Sequence, residues 1–218
     1  MNTAAITMDG LTTSQDAPRV ARPARTVAAV SDDEDAQLML AYANGEMRAF
    51  ETLYSRHRAA LYRYLMRQVR DGEIANDLFQ EVWSRVVVNR ARYEPRAKFR
   101  TFLFTLAHNC FIDHCRRSRI RPAGMGIDDA DAADLLPADE ESRPDRALVR
   151  SEESRRYREA LASLPAEQRD VYLLHEESDL SLEEIARVTG VGAETAKSRL
   201  RYAVNKLKAA LSATEDMT

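Results

Sequence analysis

The sequence holds few of the residues on which many protein functions depend. Among 218 residues there are two cysteines, seven glycines and one tryptophan. Cys110 and Cys115 lie five apart in one expected helix and point in different directions, so no disulfide framework is implied and a reducing compartment fits. No apolar run approaches the ~20 residues that span a bilayer, and the N-terminus shows no signal-peptide h-region. A cytoplasmic protein without membrane insertion is expected. There is no phosphate-cradling glycine loop, no HExxH pair and no nucleophile elbow. Cys110 and His114 sit four apart on a helix, but a transition metal needs three or four ligands and one helix rarely delivers them. No metal, cofactor or catalytic residue is expected, and the chain is not read as an enzyme. Strand-like alternation is absent too, which leaves an all-α chain.

What is present is segregated charge. The hydrophobic fraction of 44% suffices for packed cores, and the net charge is only −3. Residues 1–37 carry three basic and six acidic residues, residues 38–121 carry 16 and 8, residues 122–146 two and eight, and residues 147–218 carry 11 and 13. A strongly basic segment is thus followed by a strongly acidic one, and a uniform-charge argument against nucleic acid fails.

Residues 1–33 have no periodicity and read as a disordered tail. From residue 34 to 118 four helices are expected. Leu38, Leu40 and Ala41 start the first. Phe50, Leu53, Tyr54, Leu61, Leu65 and Val69 line the second, which Asp71-Gly72 breaks. Ala75, Leu78, Phe79, Val82, Trp83 and Val86 line the third. Tyr93 to Arg96 is a loop, because Pro95 disfavours a helical residue before it. The fourth helix turns Leu103, Leu106, Ala107 and Cys110 inward. Residues 119–149 read as a flexible acidic linker, with Asp128, Asp129, Asp131, Asp134, Asp139, Glu140 and Glu141 and no usable period. A second helical domain is expected over residues 150–212, with a frayed end at 213–218. The fold class is therefore all-α, two small helical domains on a flexible linker.

The stretch from Ser181 to Leu211 has the sharpest local signal. Ser181 followed by Glu184 is a capping box. Gly190 supplies the freedom that a sharp turn between helices needs. Ala193, Ala196, Leu200, Ala203, Leu207 and Leu211 form one apolar stripe on the second helix. Its other faces carry Glu194, Thr195, Lys197, Ser198, Arg199 and Arg201, and from Lys197 to Lys208 there are five basic residues and no acid. That is a helix-turn-helix, whose second helix enters the DNA major groove. Its Lys and Arg side chains hold phosphates or read guanine, and Ser, Thr and Glu serve either purpose. The competing reading is an amphipathic helix whose charges meet only water.

In the first domain, Tyr93, Arg96, Lys98, Phe99, Arg100 and Phe102 mix rings with cations, the composition that holds single-stranded DNA. Phe99 and Phe102 fit a core role equally well. Asn109 offers an amide donor and acceptor for a base edge, and Arg116 and Arg117 suit phosphate contact or a solvated helix end. Gln80 and Glu81 read as plain surface residues, and Trp83 as core or as a partly exposed hot spot.

The run Asp77-Leu78-Phe79-Gln80-Glu81-Val82-Trp83, with Arg92 to Asn109, resembles region 2 of bacterial RNA polymerase sigma factors of the extracytoplasmic-function type. Leu164-Pro165-Ala166-Glu167-Gln168-Arg169 through the helix-turn-helix resembles their region 4. The resemblance implies a promoter-recognition subunit of a stress or envelope regulon. In it Asp77, Gln80, Glu81 and Trp83 dock on core polymerase, at the clamp helices of the largest subunit, and the beta flap is a further implied partner surface. Tyr93, Arg96, Lys98, Phe99, Phe102, Asn109, Arg116 and Arg117 serve the −10 element, with Tyr93 and Asn109 near a pocket for a flipped base. Glu194, Thr195, Lys197, Ser198, Arg199 and Arg201 serve the −35 element. An anti-sigma factor is a further implied partner. Thr105 and Leu106 stand where housekeeping sigma factors carry two tryptophans, so weaker melting of DNA is expected. The alternative is a stand-alone helix-turn-helix regulator.

Overall fold

The computed structural model describes residues 33–120 and 144–215, with side chains over 33–118 and 153–212. Its regular elements are α1 (Glu34–Ala43), α2 (Met47–Val69), α3 (Gly72–Asn89), a 3-10 turn (Arg90–Arg92), α4 (Phe99–Ile120), α5 (Pro144–Ala162), α6 (Ala166–Ser178), α7 (Leu182–Thr189) and α8 (Ala193–Glu215). No strand occurs among the described residues, as the sequence pattern requires. The acidic run Asp128–Glu141 and the tail to residue 32 lie outside the described residues. Helix α5 starts inside the expected linker, at Pro144, because a first helical turn tolerates proline's missing N–H.

Polar side chains cap the starts of α1, α3, α4 and α7. The Asp33 carboxylate caps two helices at once: Oδ1 accepts from Asp35 N at 3.2 Å and Oδ2 from Phe99 N at 2.7 Å. Helix α2 ends at Arg70, which takes a left-handed φ of 57°. Asp71 then caps α3, accepting from Glu73 N at 2.9 Å and Ile74 N at 3.0 Å. The Ser181–Glu184 capping box is formed at both of its bonds.

The apolar face of each helix lies in one connected core. Met39, Leu53, Leu61, Leu65, Val82, Val86, Leu103 and Ala107 fill the first half, and Leu161, Val171, Leu174, Ile185, Ala203 and Leu207 the second. The two halves also pack on each other, α6 against α2 and α7 against α4. The expectation of two domains related only through a linker left this contact out. It is polar and complementary in sign. Glu177 of α6 pairs with Arg63 at 2.7 Å and with Arg67, both of α2. Asp170 of α6 accepts from Tyr64 Oη at 2.7 Å and Gln68 Nε2 at 2.7 Å.

Candidate nucleic-acid interface

Three surfaces carry the expected functional residues. The first is the helix-turn-helix. Gly190 ends α7 at a φ of 70°, and Val191 N–H donates to Ala186 O at 3.0 Å. Ala196 and Ala203 are fully buried, so α7 packs close against α8. Leu200 is half-buried, and the ends of the stripe, Ala193 and Leu211, are exposed. On the front, Glu194, Thr195, Lys197 and Arg201 are exposed and Ser198 is half-buried. Arg199 leans away from that front and pairs with Glu167 at the start of α6. Lys206 is likewise occupied, donating to the Ser163 carbonyl at 2.5 Å. The free basic front is therefore narrower than the sequence pattern implies.

The second surface is the segment joining the 3-10 turn to α4. Tyr93 stacks edge-on against Phe102 at 5.2 Å and Phe99 at 6.4 Å between ring centroids. Its hydroxyl is buried with no protein partner, and burial pushes the phenol well above its usual range. Phe102 is half-buried, while Phe99 is 0% exposed and sits against the His57 ring at 5.4 Å. Phe99 is thus core, which corrects its placing among DNA-contacting residues: a ring without accessible surface offers no face to a base. Arg96 is exposed and holds Glu94 at 2.6 Å. Asn109, Arg116 and Arg117 are exposed along α4.

The third is the face of α3. Asp77 and Gln80 are exposed, and Glu81 is half-buried between Arg85 at 2.6 Å and Arg117 at 3.6 Å. Together with Ile74, Leu78, His114 and Ser118, Asp77, Glu81 and Arg117 line one groove. Trp83 does not join them. It is 6% exposed and packs among Tyr54 at 5.0 Å, Phe50 at 5.7 Å and Phe79 at 6.4 Å. Its position, three residues after Gln80 but on the inward face with Phe79, makes it a core residue.

Comparison with known proteins decides what these surfaces belong to. The family described as Sigma-70 region 2 matches residues 53–120, and Sigma-70, region 4 matches residues 154–207. The chain belongs to the sigma-70 family. Its relatives place it among the extracytoplasmic-function type. It is 31% identical to RNA polymerase sigma factor CarQ of Myxococcus xanthus, over 80% of this chain and 95% of that one. It is 33% identical to ECF RNA polymerase sigma factor SigL of Mycobacterium tuberculosis, over 78% and 92%. The fold resembles CnrH in complex with the cytosolic domain of CnrY, with a TM-score of 0.61, 24% identity and coverage of 82% of this chain and 97% of that one. It also resembles RpoE in complex with the anti-sigma factor NepR from Bartonella quintana, with a TM-score of 0.60, 24% identity and coverage of 75% and 96%.

A sigma factor is the promoter-recognition subunit of RNA polymerase. It binds the core enzyme, recognises the −35 and −10 elements and directs transcription initiation. In this sigma factor the structure adds residues that the sequence pattern passed over. Tyr202 is 55% exposed beside the front of α8, and the Arg201 guanidinium lies 5.2 Å from its ring centroid. An aromatic side chain next to the stripe residue Ala203, but off the stripe, is the signal that was available. Glu184 has two jobs. Its Oε2 accepts Ser181 N at 2.9 Å, while Oε1 accepts Thr101 Oγ1 at 3.3 Å and lies 3.4 Å from Lys98 Nζ. Burial raises its carboxyl pKa, but the bonds from Ser181 and the Lys98 charge outweigh burial and hold it below the usual range. No periodicity in the sequence reports a contact between residues 98 and 184.

Proposed function

We propose the following division of work. The front of α8 (Glu194, Thr195, Lys197, Ser198 and Arg201, with Arg199 on its flank) meets the −35 element. Tyr93, Arg96, Lys98, Phe102, Asn109, Arg116 and Arg117 hold the −10 strand, with rings facing bases and cations the backbone. Phe99 supports that loop from the core. Asp77, Gln80 and Glu81 meet the clamp helices of the largest polymerase subunit, and the second half meets the beta flap. The observation that supports this division is an exposed helix-turn-helix front and a basic, aromatic loop on the same chain. The linker between them then bridges two sites on one promoter, which raises the effective concentration of the second contact. One solved neighbour, RpoE, is in complex with the anti-sigma factor NepR, and a partner of that class is proposed for this chain as well. Sigma factors are initiation factors and not an enzyme family, and this chain is read as non-enzymatic and cytoplasmic. Among the described residues no helix is long and apolar enough to cross a membrane.

The test is a titration of labelled promoter DNA with and without core polymerase at one fixed salt concentration. Residues 147–218 are near charge balance and supply little general attraction to DNA. The free chain is expected to show little promoter preference and the holoenzyme much more. Tight, sequence-specific binding by the free chain would point to a stand-alone regulator.

A further inference from the structure

The helix that follows the −10 loop has no capping side chain at its own N-cap position. Helix α4 starts at Phe99, and Lys98 stands before it, its carbonyl accepting from Phe102 N at 3.1 Å. A lysine side chain carries donors only, so it cannot satisfy the free N–H groups of that first turn. Ser, Thr, Asp or Asn would do so, and none stands among residues 93–98. The acceptor comes instead from Asp33, 66 positions earlier, through the Oδ2 bond to Phe99 N. A cap supplied from elsewhere leaves position 98 free to carry a cation.

The same end of α1 backs the rest of the loop. Helix α1 packs against the 3-10 turn that leads into Tyr93 and against α4. Asp35, two residues after Asp33, lies 2.8 Å from His57 Nε2 and accepts from Arg56 at 2.7 Å. His57 is 1% exposed, and its ring is the one that lies against Phe99. Burial lowers the His57 pKa, so the imidazole is neutral, and its Nε2–H donates to the Asp35 carboxylate. Phe99 in turn meets Tyr93 and, at 6.1 Å between centroids, Phe102. Tyr93 feels both carboxylates as well: after burial, the charges of Asp33 and Asp35 are what raises its phenol pKa. The backbone bonds donated from within the loop are local, Tyr93 N to Arg90 O at 3.3 Å and Arg96 N to Glu94 O at 2.7 Å. Neither reaches α4. Asp33 and the His57–Phe99 pair do.

Resting on the −10 reading of this loop given above, we propose that Asp33 is a positioning residue for capture of the −10 strand, with Asp35 and His57 as a second anchor. It touches no base. Its carboxylate fixes the start of α4 against α1, and so fixes the spacing of Tyr93 and Phe102, the rings that receive a base. A fixed spacing rejects a base of the wrong shape, whereas a loose loop repacks around any of them. The two aspartates lie outside residues 53–120, the segment that matches Sigma-70 region 2.

The test is base preference, read with holoenzyme assembled from the full chain and core polymerase. Single-stranded −10 oligonucleotides carrying each of the four bases at each position are titrated at one salt concentration. Asp33→Ser keeps a cap for α1 but removes the carboxylate branch that reaches Phe99. Asp33→Asn is milder, with one acceptor oxygen left for two N–H groups. Asp71→Ala removes the cap of α3, at the far end of that helix from the loop, and is the control. A chain that merely loses folded fraction loses affinity for every oligonucleotide by one factor, so the ratio between bases does not move. In Asp33→Ser the ratio between the best and the worst base is expected to fall by about fivefold or more. The fall is smaller in Asp33→Asn and absent in Asp71→Ala. Hydrogen exchange at the Phe99 amide, measured on the free chain, is faster in both Asp33 variants. An unchanged ratio in Asp33→Ser, an equal fall in Asp71→Ala, or unchanged exchange at Phe99 overturns the proposal. The loop assignment has its own readout, because Tyr93→Ala must shift the ratio. If it does while Asp33→Ser does not, positioning alone fails; if it does not, the −10 reading fails and the proposal with it.

Discussion

Replacing Trp83 separates a contact role from a packing role. The indole is 6% exposed and touches three aromatic rings. Trp→Ala at such a site removes about 3–5 kcal/mol through lost transfer and an unfilled cavity. Each lost ring pair adds weight within that range, at about 0.5–1.5 kcal/mol beyond area. A domain's whole stability is about 5–15 kcal/mol, so Trp83→Ala should remove between about a fifth and nearly all of it. Trp83→Phe should behave differently. The indole Nε1 is buried without a hydrogen-bond partner, so phenylalanine gives up no bond and removes an unsatisfied donor that costs about 1–3 kcal/mol. Its smaller volume works in the opposite direction, and the net change should stay within about 1.5 kcal/mol. The assay is urea unfolding followed by circular dichroism, paired with affinity for core polymerase. Trp83→Ala is expected to lower both, Trp83→Phe neither, and Glu81→Lys affinity alone. If Trp83→Ala unfolds like the parent chain yet loses core binding, the packing argument is wrong and the indole is a contact after all.

Other outcomes follow from the same geometry. Arg201→Ala should cost about 1–3 kcal/mol in holoenzyme–promoter binding and relax one −35 position if the guanidinium reads a base. A uniform loss with a shallower salt slope, measured across a promoter panel, would mark a phosphate contact. Ser181→Ala removes one half of a formed capping box and should lower stability by about 0.5–2 kcal/mol in thermal melts. The Glu184 carboxyl is held below its ordinary value of 4.5 in the folded chain, so its stabilising effect is present above that pH and is lost as the pH falls through the folded value. Glu184→Gln should accordingly flatten the loss of stability as the pH falls below 4.5 in acid-unfolding curves; an unchanged acid limb would contradict the bonding described for that carboxylate.

The sequence by itself determined the features that are local along the chain. Ser181 with Glu184, Gly190, and the Asp71-Gly72 break each act within one helical turn, so residue type and spacing suffice to place them. The buried stripe at Ala196, Ala203 and Leu207 repeats with the helix and is legible for the same reason. Periodicity also gave the inward sides of α3 and α4, but not how deep each side chain lies. Trp83 and Phe99 stand at positions where an exposed hot spot and a core ring have the same spacing, and only neighbouring helices decide between them. Arg199 looks like a front residue until Glu167, 32 positions earlier, draws it aside. The contact of the two halves is the extreme case. Lys98 with Glu184, Arg100 with Asp179 and Tyr64 with Asp170 are separated by 79 to 106 residues. Such pairings depend on how whole helices pack in three dimensions, and charge composition records only that acids and bases are there to be paired.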